Sequence, residues 1–102
     1  MNAALTISKT YHQRVSDYFW GATLRTEDGI EPHLGDSDYD HSAVTILEQK
    51  MGVAVGKLSN RQYTGVNLTV KLPEGVTLTE AYKTMVRDKY TADGTIGTIT
   101  FE

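Results

Sequence analysis

The chain has no cysteine among its 102 residues, which excludes disulfides, thiolate nucleophiles and cysteine-ligated zinc or iron–sulfur centres. That composition fits a reducing compartment. No apolar run approaches the roughly 18 residues of a membrane-crossing helix. Met1 to Thr10 carries one basic residue, Lys9, and only a short apolar stretch, so it does not read as a secretory leader. The expectation is a cytoplasmic protein, of a cell or an infected host, with no membrane contact. Internal repeats and low-complexity tracts are also missing. What remains is an ordinary composition, 39% apolar with nine glycines, in a chain of one-domain length (residues 1–102). A compact fold of this size buries about two-thirds of its unfolded surface, enough for a core without staples.

Catalytic patterns are equally scarce. None of Ser8, Ser16, Ser37, Ser42 and Ser59 sits in a GxSxG elbow. His12, His33 and His41 have neither HxH nor HExxH spacing, so no metal site is expected from them. Gly52 to Lys57 contains Gly and Lys but not the phosphate-loop spacing. Asp36, Asp38 and Asp40 alternate like the first ligands of a calcium-binding EF-hand loop. The match then fails, because His41 stands where the turn glycine belongs and Leu47 where the closing Glu belongs. The expectation is a non-enzymatic protein without metal or cofactor.

Hydrophobic periodicity supplies the elements. Ala4 to Thr10 alternates as a strand, and Tyr18 to Leu24 reads as a second strand after a turn near Arg14–Asp17. Helical spacing of Tyr11, Val15, Tyr18, Phe19 and Ala22 is the competing reading. Residues 27–41 hold Gly29, Pro32, Gly35 and four Asp, and read as loop. A short helix capped by Ser42 or Asp40 runs to Met51 and closes at Gly52, and Val53–Leu58 follows as a strand. After a loop at 59–65, Val66–Leu72 alternates most clearly of all. A second helix, with a Thr77/Glu80 capping box, runs to about Tyr90, and Thr95–Phe101 is a terminal strand with a bulge at Gly97. From Tyr18 onward the order is strand, helix, strand, strand, helix, strand. That predicts an α+β fold: a small antiparallel sheet in ferredoxin-like order plus an extra N-terminal strand, two helices on one face and the other face open.

Charge carries the functional expectation. Residues 1–50 hold eight acids and four Lys or Arg, whereas residues 51–102 hold five and six. Most of the asymmetry lies between Glu27 and His41, in Glu27, Asp28, Glu31, Asp36, Asp38 and Asp40, with no Lys or Arg among them. Carboxylates so crowded repel one another unless a cationic surface meets them, and such contacts steer association. Tyr39 inside the run is an aromatic anchor of the kind that dominates interface energetics. The leading expectation is therefore a protein-binding module, an inhibitor included, in the manner of small phage or mobile-element proteins. Its partner would carry a basic surface, a nucleic-acid-binding protein being a natural case. It would contact Glu27, Asp28, Glu31, Asp36, Asp38, Tyr39 and Asp40. Internal neutralisation of these groups by Arg25, Lys50 or Arg61 would remove that argument. An alternative is single-stranded nucleic acid stacked on Tyr11, Arg14, Tyr18, Trp20 and Arg25. A second alternative is an assembly subunit or homo-oligomer, joined through an open sheet face or a terminal edge strand. Arg61–Tyr63 and the Lys83, Arg87, Lys89 side of the second helix form the positive surfaces.

Overall fold

The structure, a computed structural model, describes residues 1–14, 16–31, 34, 38–39 and 42–102, with only the backbone described for His12, Asp38 and Tyr39. The elements are β1 (Asn2–His12), β2 (Asp17–Thr26), β3 (Asp38–Tyr39), α1 (Ala43–Asn60), β4 (Val66–Lys71), α2 (Glu80–Tyr90) and β5 (Ile96–Phe101). They form one five-stranded sheet in the order β3-β2-β1-β4-β5, with two helices. The α+β class and the two-helix layer are as the periodicity predicts.

The sheet is mixed rather than antiparallel. β1 pairs antiparallel with β2 and parallel with β4, and β4 pairs parallel with β5 across α2. The departure from the expected order begins at residues 53–58, which lie inside α1 rather than in a strand. Ile46, Leu47, Lys50, Met51, Ala54 and Leu58 are buried in a helical stripe that runs straight past Gly52. A glycine in a helix interior costs about 1 kcal/mol relative to Ala. Continued burial of Met51, Ala54 and Leu58 outweighs that. The helix starts where Ser42 Oγ accepts the Thr45 amide at 3.2 Å, and ends before Gln62, whose φ of 63° breaks it. At α2 the cap is Thr79, not Thr77: its Oγ1 accepts the Tyr82 amide at 3.1 Å, and Glu80 stands in the first turn.

The helical reading of residues 11–22 gives way to the hairpin. Tyr11 opposes Tyr18 and His12 opposes Asp17 around a turn in which Ser16 has φ 50°. At the other edge Val66 opposes Ile96 and Asn67 opposes Thr98, so Gly97 is the extra residue of the expected bulge. A Cβ on Gly97 would meet Gly65 backbone atoms at 3.2 Å, which explains glycine there.

One sheet face is the core. Ala3, Leu5 and Ile7 of β1, Trp20 and Leu24 of β2, Val66, Leu68 and Val70 of β4, and Ile96 and Ile99 of β5 are buried with the helix stripes. The helices meet where Tyr90 Oη donates to the Glu48 carbonyl. On the other face Thr6, Thr23, Asn67, Lys71, Thr98 and Thr100 are exposed. The two faces of β1 separate by one residue. Leu5→Ala should cost about 2–5 kcal/mol in denaturant unfolding, whereas Thr6→Ala should stay within about 0.5 kcal/mol.

Candidate functional site

The candidate residues lie at the two ends of β2: the free end of the β1–β2 hairpin at one, and the turn that leaves β2 at the other. β1 is paired with β4 only from Asn2 to Thr6, while its pairing with β2 continues to His12. The hairpin therefore extends beyond the shared sheet. Along this extension the core-facing positions are Lys9 and Tyr11 on β1 and Tyr18 and Trp20 on β2, brought together by the registers Lys9↔Trp20 and Tyr11↔Tyr18. Helix cover fails along this row. Trp20 is only 5% exposed, but Tyr18 is 47% and Tyr11 52% exposed. The two tyrosine rings meet edge to face with centroids 5.3 Å apart, and the Lys9 ammonium lies 4.7 Å from the Tyr18 ring centre and 5.1 Å from that of Trp20. A cation between two rings at a partly exposed site contributes about 0.5–1 kcal/mol and holds both rings in a fixed attitude.

The five residues of the nucleic-acid alternative do not form one surface. Tyr11 and Tyr18 stand together and Arg14 is exposed on the hairpin turn, while Trp20 belongs to the core. Arg25 opposes Ala4 on the open face, and its guanidinium is paired with Glu31 through Nε and Nη2.

The acidic segment divides similarly. Glu31 meets Arg25 across six residues. Asp28 accepts hydrogen bonds from Thr26 Oγ1 and, at 2.6 Å, from Tyr63 Oη, which reaches over from the loop after α1. Thr26 is buried, and its Oγ1 also accepts the Ile30 amide at 3.2 Å. These bonds hold the Asp28 carboxyl below its ordinary value of 3.8, first through Thr26 and then through Tyr63, and push the Tyr63 phenol above 10.0. Glu27 is exposed, and its amide donates to the Asn2 carbonyl at 2.9 Å. Lys50 is buried in α1, and its ammonium donates to the Leu34 carbonyl at 3.3 Å, tying the segment to the helix. Asp36, Asp40, His33 and His41 lie outside the described residues. The backbone of Asp38 and Tyr39 is β3, which pairs with Trp20 and Phe19 and so runs along the extended hairpin. The centre of the acidic run is thus adjacent to the tyrosine pair, a neighbourhood that no local sequence pattern reveals.

Clefts elsewhere are shallow. One of about 330 Å³ on the open face lies among Asn2, Ala4, Arg25, Thr69 and Lys71. Another of about 300 Å³ lies among Leu72, Val76, Leu78, Lys83 and Phe101, and among the described residues no histidine or serine lines either. Among the described residues no three His, Asp or Glu side chains converge, and no helix is long and apolar enough to cross a membrane. No family model, no curated protein and no solved structure matches the chain.

The Thr26–Asp28–Tyr63 network has a pH signature. A carboxyl whose folded pKa lies below its unfolded value adds stability that is complete above about pH 4 and is lost as pH falls through the folded value. Tyr63→Phe removes one of the bonds that lower it. The loss of stability on acidification from about pH 5 to about pH 2 should then be shallower than in the parent chain, as read from denaturant midpoints.

Proposed function

We propose that the chain is a non-enzymatic protein-binding module, working in the cytoplasm of a cell or infected host. It engages a partner with a basic surface through the extended end of the β1–β2 hairpin and the acidic segment beside it. Blocking the partner's own anionic ligand is the simplest consequence. The observation that carries this reading is the exposed Tyr11–Tyr18 pair, fixed by Lys9, on the hairpin against which β3 lays the backbone of Asp38 and Tyr39. Tyrosines with large exposed rings and few rotatable bonds are typical interface anchors. The carboxylates of the acidic run would supply charge-assisted hydrogen bonds to Lys or Arg, and a negative field that speeds encounter.

Glu31 and Asp28 contribute less to this surface, because Arg25 and Tyr63 already engage them. The weight falls on Asp36, Asp38, Tyr39 and Asp40, because Glu27 follows β2 at the end away from Tyr18. A protein partner is favoured over single-stranded nucleic acid for two reasons. Trp20 and Arg25 are occupied elsewhere, and the acidic run to which β3 belongs would repel phosphates.

Capture from an extract of the source cells, repeated across a salt series, tests the proposal. Tyr11→Ala with Tyr18→Ala should weaken retention of the captured protein by about 2 kcal/mol or more. Asp36→Ala, Asp38→Ala and Asp40→Ala together should weaken it and flatten its salt dependence, with both variants melting near the parent. Equal retention by both variants at every salt concentration would remove this surface from consideration. Tight binding of a labelled single-stranded oligonucleotide at low salt, lost in the tyrosine variant, would favour the nucleic-acid alternative instead.

A further inference from the structure

The sheet has two unlike edges. Among the described residues β3 contributes two to one, whereas β5 presents six, Ile-Gly-Thr-Ile-Thr-Phe, with no charge and no proline. Natural edge strands of that length are usually blunted by Lys, Pro or a covering element. The direction of the β5 backbone follows from its bonds to β4. The Glu102 amide donates to the Val70 carbonyl at 2.9 Å, and the Glu102 carbonyl accepts from Leu72. Residues of that parity, Thr98 and Thr100, point their backbone groups at β4, so Ile99 and Phe101 point theirs outward. A side chain meets one of these outward acceptors: Arg87 Nε donates to the Ile99 carbonyl at 3.0 Å, with its guanidinium 5.3 Å from the Phe101 ring centre.

We propose that β5 is a self-pairing edge, and that its partner is β5 of a second copy, antiparallel and centred on Ile99. The strand is complementary to itself in that register. Thr98 falls opposite the second copy's Thr100, a favourable cross-strand pair on the open face. Gly97, the bulge residue with no side chain, falls opposite Phe101, so nothing crowds that half-exposed ring across the pair. Ile99 meets its own equivalent, so two buried faces join edge to edge. No charged residue lies between Ile96 and Phe101, so no like charges meet across the twofold axis. The product is one continuous sheet through both copies. Its bond to the Ile99 carbonyl is shared with, or taken from, Arg87. Self-pairing uses the edge opposite β3 and is independent of the partner-binding surface.

Sedimentation across a concentration series reaching the millimolar range tests this. The parent chain should pass from monomer to dimer. Thr98→Lys with Thr100→Lys sets like charges opposite one another twice, at positions exposed in the monomer, and should weaken association about tenfold. Thr98→Glu with Thr100→Lys sets opposite charges in the same places and should restore it. Hydrogen exchange of the Ile99 and Phe101 amides in the parent chain should slow as concentration rises, a reading that needs no variant. A parent chain that stays monomeric throughout, a double-Lys variant that associates as the parent does, or exchange independent of concentration would each overturn the proposal. A Glu/Lys variant no better than the double-Lys variant would overturn the register.

Discussion

Leu5 sits between Leu24 on one side and Val70 on the other, and all three are excluded from water. This row spans the point where the sheet changes from antiparallel to parallel, and the rest of the molecule is hung from it. β1 must be apolar at alternate positions to serve both neighbours, and a slip of one residue would turn Leu5 and Ile7 to the wet face. The parallel half requires crossovers, and α1 and α2 supply them while covering the same face. The antiparallel half needs only a tight turn, so the hairpin can grow past the last residue that β4 supports. The exposed tyrosines are a product of that overhang. Core-facing alternation continues to Tyr11 and Tyr18 after the helices have stopped covering it.

The acidic turn shows how a crowded charge is tolerated inside a folded chain. Thr26 ends β2 with its hydroxyl buried, and the turn closes around it through Asp28 and Ile30. Tyr63 then ties the turn to the loop after α1, a contact across thirty-five residues. With Glu31 held by Arg25, the early part of the run is structural. Arg25 is one of the three cations whose engagement removes a carboxylate from the recognition argument, and it takes Glu31 out. Lys50 is buried and donates to the Leu34 carbonyl, and Arg61 is exposed. The proposed recognition is thereby confined to the later part of the run, whose described backbone, β3, lies along the hairpin.

The sequence made some of this plain. Strict alternation over Val66–Leu72 and Ala4–Thr10 identified two strands, because burial on one face leaves a period of two that few other structures imitate. Gly97 announced its bulge. Gly52 misled, because a glycine with Lys before it resembles a helix stop, and the signal against that reading was the apolar stripe of Met51, Ala54 and Leu58 beyond it. Strand direction was not legible, since parallel and antiparallel partners of β4 bury the same face and leave the same pattern. The site was half legible. Charge counting found the acidic run, but the Arg25–Glu31 and Asp28–Tyr63 pairings, and the seat of β3 beside Tyr18, are long-range facts with no local mark.

The two edges of the sheet carry opposite solutions to one problem. Unpaired strand groups attract other chains, and a protein must blunt them or use them. On the β3 side the described edge is Asp38 and Tyr39, in a stretch of sequence dense with carboxylates, which repel a second copy of themselves. Like cannot pair with like there, and only a cationic partner gains by approach. On the β5 side the strand is neutral, and one arginine side chain stands at its outward carbonyl. A guard of that kind can be displaced by a strand that offers amides in register, and β5 itself is such a strand. On the two proposals taken together, charge sorts the partners, directing unlike molecules to one edge and identical ones to the other. A pair joined at β5 would hold its two acidic edges at the far ends of one sheet, where both could engage a repeated or extended basic target with the added affinity of two linked sites.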